Sequence, residues 1–233
     1  MNFILQLKDS LKESSIQTVN TILKNCLAQV PGSLNIIPKS SKKKESGKEI
    51  EILTSALGIL IALFEGIRLG ELCALRWRDI DTEEGVLHIR YTLQRVQNLP
   101  DQIEKMGKTR LLFDTPKNHK ERTIPIHPQL RDWLEEKKKL HSDTDFVLSG
   151  SLKPVEPLTM TSRFKKFCET HGLRDFKFYT LRHTFATRCV ESGMDIKVLS
   201  EILGHSSVKI TLDRYVHPSM DFKKSQISSL CMS

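Results

Sequence analysis

The stretch ILTSALGILIALF, residues 52–64, constrains the fold of this chain more than any other segment. It holds no charged residue, yet at about 1.5 Å per residue it is too short to cross a hydrocarbon layer of about 30 Å. It ends against Glu65 and Arg68. The reading is a buried core helix, around which the remaining elements have to be arranged.

The 233 residues are enough for one domain with a real core and a smaller appendage. A formal net charge of +8 and a pI near 9.2 favour an acidic partner, nucleic acid first and an anionic membrane surface second. The opening MNFILQLKDS lacks the basic start and apolar run of a secretory signal. The five cysteines, Cys26, Cys73, Cys168, Cys189 and Cys231, are odd in number and show no C-x-x-C spacing. That pattern suggests a reducing cytoplasm and argues against structural zinc.

Apolar positions Ile16, Val19, Ile22, Leu23 and Leu27 predict a helix within residues 9–30, and VPGSLNIIPKSSKKKESGKE then breaks the period as an exposed linker. Its Lys run at 42–44 reads as solvated surface, or as a basic segment that tracks a phosphate backbone. Beyond it the pattern predicts helices over 50–64 and 69–77, interrupted at Gly66. Three β-branched or aromatic runs follow, 85–96, 109–116 and 121–126, with Lys117 in a tight turn between the last two. Helices are predicted near 128–140, 159–171, 181–192, 195–203 and 207–215. The fold class is therefore mainly α with a small antiparallel three-stranded β-sheet (α+β).

Several cations fall at the wrong ends of these helices. A helix N-terminus carries partial positive charge and disfavours cations. Yet Arg68 opens the 69–77 helix, and Arg182 lies in the first turn of a helix that Thr180 could cap. His205 follows Gly204, a good C-terminal stop, and precedes Ser206 and Ser207, good caps for the next helix. An anion bound between these cations would explain the placement. The blander readings are a local Arg68–Glu71 pair and an Arg182 that covers apolar surface while its head stays in water. Two guanidinium forks and a histidine could neutralise a phosphodiester during substitution, with Tyr215 available as nucleophile and Lys117 as acid.

The segments GIRLGELCALRWRDID (66–81), TPKNHKERTIPI (115–126), YTLRHTFAT (179–187), LSEILGHSS (199–207) and TLDRYVH (211–217), in this order, resemble the catalytic domain of the tyrosine recombinase and phage integrase family. The resemblance implies that Arg68 and Arg182 bind the scissile phosphate, that His205 is the later histidine beside it, and that Tyr215 is the nucleophile. Lys117 would be the hairpin lysine acting as general acid, Glu71 would support the first arginine, and His183 would be mainly structural. The family's usual histidine three residues before the second arginine is Tyr179 here. A phenol with its ordinary pKa near ~10 adds no positive charge and accepts no proton readily at neutral pH. His205 is then the better candidate to help remove the Tyr215 proton.

The resemblance further implies a metal-free, cofactor-free reaction on double-stranded DNA through a 3′-phosphotyrosyl link, with strand exchange by a homo-oligomer, a tetramer on paired sites. Accessory DNA-bending or directionality proteins are possible partners, no membrane is implied, and the location is cytoplasmic, with the nucleoid or a mobile element. Residues 1–30 resemble the last helix of a core-binding domain, 31–48 a basic linker, and 49–233 the catalytic domain with a tail from about 218. So short an N-terminal part predicts weaker DNA binding than a longer recombinase has. The tail has Phe222, Ile227 and Leu230 at helical spacing and would dock on a neighbouring copy or fold back on its own domain. Rival readings are a helix-turn-helix DNA-binding protein with 207–215 as recognition helix, a type IB topoisomerase, and a metallohydrolase, for which His171, His183 and His205 lack ligand spacing.

Overall fold

The computed structural model describes residues 47–98, 107–116, 121–173 and 176–216, together with 220, 224, 227 and 228 of the tail. The helix expected within 9–30, the Lys42–Lys44 run, Lys117, and the tail positions Phe222 and Leu230 lie outside the described residues.

Helix α1 (Gly47–Glu65) is the axis of the molecule. Every residue from Ser55 to Ile67 is buried, as an uncharged apolar run demands. Four helices cover it: α2 (Leu69–Ala74), α3 (Pro128–Lys138), α4 (Pro157–Thr170) and α5 (Tyr179–Glu191). Its end is set by Gly66, whose φ of +62° suits glycine alone, and where a Cβ would lie 2.2 Å from the Phe185 ring. The chain therefore reverses tightly, and Arg68 begins α2 two residues later. Among the described residues no helix is long and apolar enough to cross a membrane.

A short 3-10 turn, Trp77–Asp79, leads into β1 (Ile80–Asp81) and β2 (Val86–Ile89). β3 (Thr92–Gln97), β4 (Thr109–Asp114) and β5 (Arg122–Pro125) follow. The antiparallel three-stranded sheet has the order β1-β2-β5, with Leu87 opposite Ile124 and both buried in the core, while β3 and β4 form a separate antiparallel ribbon. Two expectations are corrected here. The run 85–96 is two strands, because Arg90 leaves the ladder to pair with the buried Asp79 at 2.8 Å. The runs on either side of position 117 do not pair with each other: β4 joins β3 and β5 joins β2.

The other helices fall within about two residues of expectation, including α6 (Ile196–Leu203) and α7 (Val208–Tyr215). Asp195 caps α6 by accepting from the N–H groups of Lys197 and Val198, and Ser207 caps α7 by accepting from Lys209. Thr180 does not cap α5; that helix starts at Tyr179, and Thr180 lies inside it. Helices α5, α6 and α7 enclose a second, smaller apolar cluster of Ala186, Cys189, Leu199, Leu203 and Tyr215.

One acidic group is sealed into this architecture. Glu65, at the last position of α1, is 2 % exposed and accepts a hydrogen bond from the His127 N–H at 2.9 Å. Burial pushes its carboxyl up to about 7, against the smaller downward effect of that bond. Its folded pKa lies above the ordinary 4.5, so its stabilising share is full below about 4.5 and is lost as the pH rises through about 7. Glu65→Gln keeps the acceptor and removes the charge. The variant is expected to gain stability over the parent as the pH is raised from 5 to 8, on the order of 2–3 kcal/mol at the upper end, in denaturant titrations at each pH.

Candidate active site

The site is built around one buried carboxylate. Glu71, in the first turn of α2, is 2 % exposed. Its Oε1 accepts from Arg68 Nη1 at 2.8 Å and Arg122 Nη1 at 2.9 Å, and its Oε2 accepts from Arg122 Nη2 at 2.7 Å and the Arg68 backbone N–H at 2.8 Å. Burial pushes this carboxyl up, but the Arg122 hydrogen bonds and the Arg122 and Arg68 charges outweigh it and hold it at about 2. The local Arg68–Glu71 pair thus exists, as one half of a fork shared with a strand fifty residues away.

The arginines share a second anchor. Arg122 Nε donates to the carbonyl of Ile202, Arg182 Nη2 to that of Leu203, and Arg68 Nη2 to that of Gly204, at 2.7–2.8 Å. These are consecutive carbonyls at the C-terminal end of α6, where backbone acceptors lack helical partners and the helix dipole favours cations. The sequence argument about misplaced cations is therefore corrected: Arg68 and Arg182 start their own helices, but their guanidiniums cap the end of another. Gly204 makes this approach possible, since its φ is +63° and a Cβ there would lie 2.9 Å from Arg122 Nη1.

Arg182 is 2 % exposed, which rules out a head kept in water. Its Nη1 donates to the Gly66 carbonyl at 2.7 Å, and its Nη2 lies 3.2 Å from His205 Nε2. Burial first, then the Arg68 charge, lower its pKa to about 10, so it remains a cation at neutral pH. Three guanidiniums against the single Glu71 carboxylate leave a surplus of positive charge, and each fork has N–H donors not engaged by these bonds. Arg68, with its side chain 30 % exposed, opens this cluster to solvent.

His205 sits in the turn after Gly204. Because Arg182 can only donate, Nε2 accepts from it, and the neutral ring keeps its proton on Nδ1, 2.8 Å from Thr211 Oγ1. Burial and the charges of Arg182, Arg68, Arg214 and Arg122, in that order, push its pKa down to about 4. The lone pair expected to take the Tyr215 proton is thus occupied by Arg182. Tyr215, the last residue of α7, is 7 % exposed, with its ring parallel to that of His205 at 6.4 Å and tilted against His183 at 5.1 Å. Its buried hydroxyl meets no partner with good hydrogen-bond geometry, and burial, then the neighbouring Tyr179 phenol, push its pKa up to about 12. Tyr179 is 48 % exposed, and its oxygen accepts from Arg214 Nη1 at 2.6 Å.

Seven of the eight residues singled out in the sequence, Arg68, Glu71, Tyr179, Arg182, His183, His205 and Tyr215, therefore lie in one connected group. The eighth, Lys117, is outside the described residues. Sequence reasoning missed Arg122, Thr211 and Arg214. All three lie within quoted segments, Arg122 in TPKNHKERTIPI and Thr211 and Arg214 in TLDRYVH, but Arg122 also looks like any polar position of a strand. Among the described residues no three His, Cys, Asp or Glu side chains come together in a metal-binding arrangement.

Paired arginines, a histidine turn and a tyrosine ending the next helix thus meet in one site. The chain belongs to the phage integrase family, whose model matches residues 39–221. It is 29 % identical to the tyrosine recombinase XerC-like protein of Caldanaerobacter subterraneus subsp. tengcongensis, over 86 % of this chain and 57 % of that protein. It is 28 % identical to transposase A from transposon Tn554 of Staphylococcus aureus, over 83 % of this chain and 55 % of that protein. The chain thus spans little more than half the length of these relatives. Among solved structures it is similar to the Tn1549 transposon integrase in complex with transposon right end DNA, with a TM-score of 0.61 and 19 % identity over 97 % of this chain and 82 % of that one. The tyrosine recombinase catalytic fold expected from the sequence is therefore borne out.

Removing Glu71 would leave Arg68 and Arg122 uncompensated in a partly buried cluster. Glu71→Ala is expected to cost about 3–5 kcal/mol of folding stability, read from the denaturant midpoint at pH 7. Because its folded pKa is depressed, the Glu71 contribution is present above about 4.5 and lost as the pH falls toward about 2, so the gap between parent and variant narrows over that window.

Proposed function

We propose that this chain cuts and rejoins double-stranded DNA at specific sites, through a covalent bond between Tyr215 and a strand 3′-phosphate. The observation that carries this reading is the convergence of Arg68, Arg182, His205 and Tyr215 around a surplus of buried positive charge. An incompletely compensated cationic cluster beside a buried phenol suits an anionic substrate that a nucleophile attacks. Helices α6 and α7 alone would also fit a helix-turn-helix reader, but that reading leaves Arg68, Lys117 and Tyr215 without linked roles.

In this reading the donors of Arg68 and Arg182 that are not already engaged hold the non-bridging oxygens of the phosphate. Glu71 and the α6 carbonyls fix the forks in place, so little reorganisation is needed as charge builds. His183 packs on the Tyr215 ring and limits its rotation. Tyr215 Oη attacks phosphorus, the bond to the 5′-oxygen breaks, and Lys117 protonates the leaving oxygen. The ester keeps the bond energy, so a 5′-hydroxyl from a second strand reverses the step without ATP.

Recombination of two sites needs a tetramer with residues 1–30 completing part of the grip on DNA, and it accommodates DNA-bending or directionality proteins. The residence is the nucleoid or a mobile element within the cytoplasm.

Two measurements test this reading. Incubated with a pool of nicked duplexes of randomised sequence, the chain is expected to trap DNA as a covalent adduct that defines its site. Tyr215→Phe is expected to bind the recovered duplex while forming no adduct, and a full yield from that variant would overturn the assignment. Lys117→Ala is expected to slow cleavage of the ordinary duplex by about 10²-fold or more, and to be nearly silent when a 5′-bridging sulfur replaces the leaving oxygen. Equal losses on both substrates would move the acid to another residue.

A further inference from the structure

Tyr179 stands where the family pattern usually has a histidine, and the structure offers a compensating residue that the sequence alone does not suggest. Arg214 directly precedes the nucleophile on α7 and reaches across to the start of α5. Its Nη1 donates to the Tyr179 oxygen at 2.6 Å, a charge-assisted bond to a phenol that is 48 % exposed. We propose that Arg214 is a positioning residue that makes Tyr179 the proton acceptor for Tyr215 in strand cleavage. The inference rests on the recombinase reading given above and adds to it a residue and a proton path.

Three observations support it. The first is the bond itself: a guanidinium so placed stabilises a phenolate and cannot serve a neutral phenol as acceptor. The second is that the alternative base is engaged, since His205 Nε2 accepts from Arg182 and Nδ1 faces Thr211. The third is electrostatic. Burial pushes the Tyr179 phenol up, but the Tyr215 hydroxyl, the Arg214 charge and the Arg182 charge outweigh it and hold it below the ordinary phenol range. Tyr215 is shifted the other way, by burial and by Tyr179. Of the two neighbouring phenols, the exposed one ionises first. The groups facing this pair are Arg214 from α7, Arg182 and His183 from α5, and His205 from the turn after α6.

The step balances without any further reagent. As the Tyr215 Oη–phosphorus bond forms, the Tyr215 proton passes to the Tyr179 phenolate oxygen. The bond from phosphorus to the 5′-oxygen breaks, and that oxygen takes its proton from the acid. On rejoining, Tyr179 returns the proton to the departing Tyr215 oxygen.

The chain has only three tyrosines, Tyr91, Tyr179 and Tyr215, so phenolate absorbance can be followed in the ultraviolet during a pH titration without DNA. The lowest-pH step is expected to vanish in Tyr179→Phe, to move up by about one unit or more in Arg214→Gln, and to stay near its place in Arg214→Lys. A lowest step that ignores Arg214→Gln would overturn the proposal, whether or not the chain recombines DNA.

On the duplex recovered with the parent chain, cleavage by Arg214→Gln is expected to be about tenfold slower at pH 7, with the deficit shrinking as the pH rises and the phenolate forms unaided. A deficit that is the same at every pH and tracks weaker DNA binding would instead make Arg214 a phosphate contact and sink the proposal. Failure of the parent to form any adduct would count against the recombinase reading and against the cleavage role of Tyr179, while the titration would still decide the Arg214–Tyr179 pairing.

Discussion

Three guanidiniums meet three consecutive carbonyls at the end of α6, and the rest of the site follows from that arrangement. Like charges so close repel one another unless something between them takes up the field. Here the helix terminus supplies partial negative charge on one side and Glu71 a full charge on the other, with Arg68 and Arg122 both bound to the same carboxylate. The compensation is incomplete. His205, held at about 4 by burial and by four arginines, registers the remaining field. In the proposed reading, a phosphate entering this space meets donors already oriented, which is the state a transition structure with growing negative charge needs.

The same contacts join the two apolar clusters. Glu71 belongs to the α2 helix packed on α1, whereas Tyr215 packs with Ala186, Cys189, Leu199 and Leu203 in the α5–α7 cluster. Arg68 and Arg122 cross from the first body to the end of α6, and Arg182 ties Gly66 to Leu203. The positions of the arginine forks and of Tyr215 are therefore coupled through a single helix turn. Gly66 and Gly204 mark the two ends of this coupling, and at both the backbone conformation and the approach of a neighbour leave no room for a side chain.

Much of this was legible in the sequence. The uncharged run ending at Phe64 announced the burial seen from Ser55 on, and the periodicity, the glycine stops and the serine cap placed α1, α6 and α7 to within a few residues. What escaped depended on partners distant along the chain. Arg68 and Arg182 looked misplaced because a charge was judged against the helix that carries it, while the long side chain serves a helix far along the sequence. Arg122 stood inside a quoted segment without being singled out, since a polar residue in a strand is ordinary until its carboxylate partner is known. The strand over 85–96 was read as continuous because Asp79, which draws Arg90 away, lies behind a turn. Tyr179 was judged by the ordinary acidity of a phenol, which holds only until α7 folds back and brings Arg214 to its oxygen.

The anchor at the end of α6 has a consequence for how such a chain can vary. All three acceptors are main-chain carbonyls, and a main-chain carbonyl is the one hydrogen-bonding group that no substitution removes. Ile202 and Leu203 can drift to other apolar residues of similar volume while the arginines keep their partners. Genetic change can break the anchor from the donor side, at Arg68, Arg122 or Arg182, or by reshaping Gly204. The acceptor half is held by the fold itself, independent of which side chains decorate it.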